Sequence, residues 1–131
     1  GDHRDLHLSI RRQRQMCIRD RINAENPRTL EPSPGRLWEC HWPAGPGVRV
    51  DTHAHTGYDM PPSFDSLLAK LIVWGKDREE AIRRLDAALA ETMILGVETL
   101  IPLHRAILTE QDFRNRDVSI RYLEEHPNLL N

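Results

Sequence analysis

The sequence has no long apolar run and contains little cysteine. None of its 131 residues belongs to a stretch approaching the roughly 20 apolar residues of a membrane span. No apolar segment follows the N-terminal charges, so a secretory signal is not predicted. The two cysteines, Cys17 and Cys40, are too far apart for a C-x-x-C motif. Isolated cysteines favour a reducing, cytoplasmic compartment over a disulfide-bonded scaffold.

Strong charge of one sign and phosphate-binding motifs are also absent. The formal net charge of -2 argues against a general attraction to nucleic acid or to an anionic membrane. The sequence contains neither G-x-x-x-x-G-K-[ST] nor G-x-G-x-x-G, and no Ser-His-Asp or Cys-His arrangement stands out. With 39% apolar and 29% charged residues, the chain is predicted to be a single globular domain with a modest core.

Residues 1–17 differ from the rest in being basic and weakly periodic. Arg11, Arg12 and Arg14 form a short cationic run that suits phosphate groups. No aromatic residue is interleaved to stack on bases, so a solvated, disordered arm is favoured over a nucleic-acid site.

The strand signals lie in the first two thirds of the sequence. Four segments have the alternation or apolar content of strands: residues 18–23, 37–41, 48–51 and 67–74. The loop 43–47, rich in proline and glycine, predicts a hairpin between the second and third of them. The fourth is almost continuously apolar, so both its faces are expected to be covered. Lys70 would then be buried and would need Asp51 or Asp65 as a partner.

The helix signals follow. Asp77 and Glu80 have the spacing of an N-cap and its capping-box partner. An apolar stripe at helical spacing comes next: Ile82, Leu85, Leu89 and Met93. Gly96 is expected to end this helix, and shorter helices are predicted over 100–109 and 119–125. Strands followed by helices predict an α+β fold, a small antiparallel sheet packed with two or three helices.

A pair of histidines suggests metal binding. Residues two apart on a strand share a face, so His53 and His55 are placed to bind one zinc ion, with Asp51 as a third ligand. Seven histidines make such a pair common by chance, and loop histidines with ordinary hydrogen bonds are the favoured interpretation. A small metal-dependent hydrolase using His53 and His55 is therefore the weakest functional hypothesis.

Arg21 is the better candidate for chemistry. It lies at the end of a predicted strand, just before a loop punctuated by three prolines. Its planar cation suits a carboxylate, bicarbonate or developing enolate oxygen, and a stiff loop would hold it at low entropic cost. The alternative is an ordinary salt bridge. The residues alone thus predict an α+β domain in which Arg21 has one of these two roles.

Six segments occur together in the order and spacing of one family: RINAENP, PSPGR, GVRVDTH, GYDMPPSFDSLLAKLIVWG, REEAIRRLDAAL and ILGVETLIPLHRAIL. They resemble the C-terminal domain of biotin carboxylase, the ATP-grasp component of acetyl-CoA, propionyl-CoA, methylcrotonyl-CoA and pyruvate carboxylases. The resemblance covers about residues 18–125, and we assign residues 18–131 to this domain.

The resemblance implies roles for four residues. The whole enzyme, a homodimer, uses ATP, Mg²⁺ and bicarbonate to carboxylate N1′ of biotin on a carrier protein. Arg21 matches the family arginine that contacts the biotin ureido oxygen and stabilises the enolate. Asp65 matches an aspartate near the biotin site that pairs with an arginine of the N-terminal domain. Ile120 matches an isoleucine that packs on adenine, with a core role as the alternative, and Arg49 matches an arginine of the dimer interface.

The departures from the family pattern bear on activity. Asp20 stands where the family has cysteine, and an adjacent carboxylate is expected to compete for Arg21. Residues 1–17 match nothing in the family, which suggests a misassembled or truncated reading frame, or else a divergent arm. The E-x-N-x-R-x-x-x-E segment, which supplies the magnesium ligands, a second arginine and the general base, is absent, as is the Gly-rich loop. Zinc has no part in the family's chemistry.

We therefore predict an inactive fragment of an ATP-dependent ligase that forms a C–N bond, lacking the catalytic ATP-grasp half. The alternative is a non-catalytic module for dimerisation or carrier docking. The sequence does not indicate which acyl-CoA or keto acid finally accepts the carboxyl group.

Overall fold

The strands and helices follow the order expected of an α+β domain. The computed structural model describes residues 16–62, 65–115 and 122–130. Its strands are β1 (Met16–Asn23), β2 (Gly35–Arg36), β3 (Glu39–His41), β4 (Val48–Thr52), β5 (Asp59–Met60), β6 (Leu67–Gly75) and β7 (Met93–Leu95). Its helices are α1 (Arg78–Glu91), α2 (Ile101–Thr109), α3 (Gln111–Arg114) and α4 (Tyr122–Glu125). None of the helices in these ranges is long and apolar enough to cross a bilayer.

Strand β6 is the centre of the main sheet. It pairs antiparallel with β1 on one side and with β4 on the other. Leu71 and Val73 are fully buried on one face. Lys70 and Trp74 alternate with them on the other face, where Lys70 is exposed. The prediction of a buried Lys70 needing a carboxylate partner is therefore wrong, because the face of β6 that carries Lys70 is open to solvent at this position.

Helix α1 covers the buried face of the sheet. Ile82, Leu85 and Leu89 pack in one cluster with the inward side chains of β1 and β6. Each such side chain contributes roughly 1.5–3 kcal/mol on burial. The predicted cap is present, since Asp77 Oδ1 accepts a hydrogen bond from the Glu80 amide at 2.8 Å. In return, Glu80 Oε1 accepts a hydrogen bond from the Lys76 amide, one residue before the N-cap, at 3.2 Å.

The predicted end of α1 is wrong. The helix ends at Glu91, and the amide and hydroxyl of Thr92 both donate to a carbonyl of the last turn. The chain then becomes extended, so Met93 lies in β7 with its side chain half exposed instead of on the apolar stripe. Gly96 follows β7 at a φ of 112°, and a Cβ there would lie 2.0 Å from the Arg36 carbonyl oxygen. This glycine allows the chain after β7 to approach β2 closely; it does not cap the helix.

The predicted hairpin between β3 and β4 is also wrong. Strand β3 pairs with β7, whereas β4 pairs with β6. Between them Trp42 turns inward, and its indole donates to the Ala54 carbonyl at 3.0 Å. Trp42 contacts both the main core and a second cluster formed by Ala24, Leu37, Ala54, Met60 and Leu68. Loop composition predicted a turn, but the partners of both strands lie in segments further along the chain.

The C-terminal helices agree in part with the predictions. Helix α2 begins at Ile101, one residue after the predicted start, with a proline in its first turn. Helix α4 covers the end of the predicted 119–125 helix, and residues 116–121 lie outside the described part of the chain. Residues 1–15 of the predicted basic arm, 1–17, also lie outside the described part of the chain. Met16 and Cys17, the last two residues of the predicted arm, belong to β1.

Candidate functional site

Arg21 lies on the face of the sheet that α1 leaves open. The strand register places Lys70 directly beside Arg21, and Asp51 beside Lys70 on the far strand. All three side chains are exposed. Directly opposed side chains on neighbouring antiparallel strands are close neighbours, with Cβ atoms about 4.5–5.5 Å apart. Arg21 therefore stands next to a second cation, and its guanidinium makes no hydrogen bond or ion pair with the described residues.

The carboxylate on this face is already paired. The guanidinium of Arg49 donates to both oxygens of Asp51, at 2.9 and 3.1 Å. This ion pair raises the pKa of the Arg49 guanidinium. Because Asp51 is engaged with Arg49 on the same strand, it does not neutralise Arg21 or Lys70. The open face consequently carries a positive charge at Arg21 that suits an anionic group.

Asp20 does not compete for Arg21. Successive residues of β1 point to opposite faces, so Asp20 is directed toward the helices while Arg21 faces solvent. Asp20 Oδ2 lies 2.8 Å from Nδ1 of His104 on α2, with side-chain exposures of 13% and 19%. The expected competition assumed that neighbours in sequence are neighbours in space, which is not true along a strand.

Glu25 connects the two segments that carry the candidate residues. Its Oε1 accepts hydrogen bonds from Asn23 Nδ2 at 2.8 Å and from the Ser66 hydroxyl at 2.5 Å. The Ala24 amide donates to the Ser66 carbonyl at 2.8 Å beside them. This network was not predicted from the sequence. The sequence nevertheless held a signal for it, because Glu25 and Ser66 belong to the RINAENP and PPSFDS segments that carry the family resemblance.

Asp65 lies at the start of β6, next to the end of β1. Its Oδ1 accepts a hydrogen bond from the Leu67 amide at 3.0 Å, and its side chain is exposed. Leu67 is the register partner of Asn23, two residues beyond Arg21. The structure thus brings the Arg21 and Asp65 segments to one end of the sheet.

The other two predicted site residues lie elsewhere. Arg49 lies on the open face of the sheet, and Ile120 lies outside the described residues.

His53 and His55 follow β4 in a loop. Both rings contact Tyr58 edge-on, with centroid separations of 5.2 and 5.9 Å. His55 Nδ1 also lies 2.9 Å from the Thr56 carbonyl oxygen. The described residues contain no group of three side chains able to hold a metal ion. The geometry therefore gives the zinc hypothesis no support, and the two histidines have an ordinary packing role.

Comparison with known proteins identifies the family. A family model described as the biotin carboxylase C-terminal domain matches residues 19–125. The chain belongs to the biotin carboxylase C-terminal domain family. The resemblance noted from the sequence is thereby confirmed, and so is the α+β fold.

Curated relatives of this biotin carboxylase domain are much longer than the chain. Biotin carboxylase of Haemophilus influenzae is 51% identical over 105 residues, which are 80% of this chain and 23% of that protein. Biotin carboxylase of Pseudomonas aeruginosa is 43% identical over 122 residues, or 90% of this chain and 27% of that protein. The chain spans about a quarter of the length of these relatives.

Solved structures share the fold. The biotin carboxylase domain dimer of Hydrogenobacter thermophilus 2-oxoglutarate carboxylase, in complex with MgADP, ADP and bicarbonate, superposes with a TM-score of 0.85 at 43% identity. The match covers 88% of this chain and 26% of that one. A Campylobacter jejuni biotin carboxylase nucleotide complex gives 0.81 at 37% identity, covering 84% and 25%.

Proposed function

We propose that this chain is the C-terminal domain of a biotin carboxylase, and that Arg21 acts on the biotin of a carrier protein. The observation that carries the proposal is the exposed guanidinium of Arg21, which has no partner among the described residues. The sequence resemblance matches this residue to the family arginine. A cation without a protein partner is available for an anionic group. Lys70 beside it increases the positive potential on this face.

Arg21 would stabilise charge on the substrate. Biotin gains a carboxyl group at a ureido nitrogen, and the loss of the proton from that nitrogen places negative charge on the ureido oxygen. A guanidinium held in place before the reaction stabilises such a charge without reorganisation, which is where fixed donors contribute most. Asp65, at the same end of the sheet, would pair with an arginine of the upstream domain and help shape this site.

ATP and Mg²⁺ do not fit the residues present. The described residues contain no three-ligand acidic or histidine cluster, and the sequence has no Gly-rich phosphate loop. We propose that an upstream ATP-grasp domain holds ATP and Mg²⁺ and activates bicarbonate, while Ile120 packs against the adenine. This chain alone would bind neither ATP nor biotin tightly and would be inactive.

Arg49 is proposed to lie at a homodimer interface. It is exposed on the open sheet face, and its bidentate pair with Asp51 holds the guanidinium in one orientation. A non-catalytic dimerisation or carrier-docking module is the second candidate, because this face would serve it equally well. The unpaired thiols of Cys17 and Cys40 support a cytoplasmic setting. No observation supports the metal-dependent hydrolase.

The test uses a complete enzyme. Residues 18–131 replace the matching C-terminal segment of Haemophilus influenzae biotin carboxylase, and carboxylation of free biotin is measured beside biotin-independent, bicarbonate-dependent ATP hydrolysis. Arg21→Ala should lower biotin carboxylation by roughly 10²–10³-fold, the cost of losing one oxyanion donor. Unchanged carboxylation in this variant would overturn the role of Arg21. Bicarbonate-dependent ATP hydrolysis by the isolated chain would overturn the prediction of inactivity.

A further inference from the structure

Glu25 has no assigned role, yet it joins the two segments that the proposed function needs. We propose that Glu25 is a positioning residue for Arg21, acting through Asn23 and Ser66; this inference rests on the proposed function. The same oxygen, Oε1, accepts both hydrogen bonds, at 2.8 Å from Asn23 and 2.5 Å from Ser66. One carboxylate thus ties the end of β1 to the start of β6.

The backbone ladder is interrupted where this link is made. The β1–β6 register runs without a break from Met16 to Ile22 and then shifts between Ile22 and Asn23. A bulge of this kind locally disrupts the ladder and bends the strand. Arg21 lies one residue before Ile22, the last regularly paired residue, so the regular ladder stops just beyond it. The side-chain link through Glu25 lies just beyond this shift and adds a second connection between β1 and the start of β6.

The two hydrogen bonds to Glu25 are suited to holding the end of β1 rigidly. Ser66 is only 7% exposed, and both hydrogen bonds are partly buried. Hydrogen bonds to an ionised carboxylate are roughly twice as strong as those between neutral groups. The donors on Asn23 and Ser66 are neutral, so this link adds no further cation beside Arg21.

The Asn23 amide is held in one orientation. Its Nδ2 donates to Glu25, and its Oδ1 is buried without a donor in the described part of the chain. Turning the amide over would place its oxygen against the carboxylate, so the observed orientation is fixed by Glu25.

The experiment uses the same chimeric enzyme and compares two activities. Glu25→Ala should lower biotin carboxylation by about 10- to 100-fold, because Arg21 loses its fixed position. Biotin-independent ATP hydrolysis should stay within about twofold, since the hydrolysing groups lie in the other domain. A purely structural defect would lower both activities together. Glu25→Gln keeps one acceptor oxygen and should recover most of the carboxylation.

Two comparisons make the test specific. Glu79→Ala is the matched control, because Glu79 also binds a neighbouring segment, through Arg114 at 2.7 Å, but lies away from the open face. It should change neither activity. In the Arg21→Ala background, Glu25→Ala should cause no further loss of carboxylation, since residues that act as a unit are not additive.

The outcomes separate the two proposals. Losses that multiply in the double variant, or equal falls of both activities in Glu25→Ala, would overturn the positioning role while leaving that of Arg21 intact. An Arg21→Ala enzyme with normal carboxylation would overturn the proposed function itself. If Glu25→Ala does not fold, the same double-variant comparison is made with Ser66→Ala, which removes one of the two donors to Glu25. No loss of carboxylation, or a loss that is equally large without Arg21, would overturn the inference.

Discussion

The hydroxyl of Ser66 donates a 2.5 Å hydrogen bond to Glu25, a residue 41 positions earlier in the chain. Ser66 is one of the few buried polar side chains in the described part of the protein. The bond joins the segment after β1 to the segment before β6, beside the candidate biotin site. Its contribution to folding can be measured separately from its contribution to catalysis.

Replacing Ser66 with alanine should destabilise the chain. The Glu25 carboxylate loses a buried donor, and such a loss costs about 1–3 kcal/mol. Urea denaturation followed by tryptophan fluorescence measures the free energy of unfolding. Thr109→Ala is the control, because its hydroxyl bonds an exposed helix carbonyl and its removal should cost less than about 0.5 kcal/mol. Equal losses in the two variants would show that the Ser66 bond has no special value.

Gly96 should be much less tolerant of alanine than Gly57. Both have positive φ, so each substitution carries the left-handed penalty of about 1–2 kcal/mol. At Gly57 an added Cβ meets nothing within 4 Å, whereas at Gly96 it would lie 2.0 Å from a backbone oxygen of Arg36. Gly96→Ala must therefore also move the chain after β7 away from β2. Thermal unfolding of both variants checks this, and similar melting temperatures would contradict it.

The Asp59 carboxylate should stabilise the fold only above acidic pH. The hydrogen bond from Arg36 lowers the pKa of Asp59 below its ordinary value. A carboxyl whose pKa is lower in the folded state stabilises it above the unfolded pKa, about 4, and loses this effect as pH falls through the folded value.

Asp59→Asn should therefore lower the melting temperature at pH 7 and have a smaller effect at pH 3. The two side chains are 56% and 66% exposed, so added salt should reduce the difference at pH 7. A deficit that is the same at both pH values would argue against the ion pair as its cause.

Cys17 should react with iodoacetamide faster than Cys40. Burial raises the pKa of the Cys40 thiol, so less of it is present as the reactive thiolate at neutral pH. Cys17 is exposed on β1. Peptide mapping over a time course gives both rates, and a Cys17→Ser variant isolates the rate of Cys40. Equal rates in the native protein and in urea would mean that burial does not protect Cys40.

Local patterns predicted the elements well where one stretch of chain contains the whole signal. Alternating polarity predicted β1, the apolar run predicted β6, and Asp77 with its neighbours predicted the start of α1. Predictions failed where a partner was needed from elsewhere. Met93 continues the helical spacing of the apolar stripe, yet it lies in β7 and pairs there with His41 of β3. No feature of the local sequence predicts this pairing.

By itself, the sequence determined the family and the position of the candidate arginine. Those conclusions depend on residue identities at fixed spacings, which are present before the chain folds. Only the tertiary structure decided that Asp20 turns away from Arg21 to His104, and that Glu25 binds Ser66. The face that a strand residue takes depends on which side of the sheet is covered. A hydrogen bond across 41 residues depends on the packing that brings its two ends together.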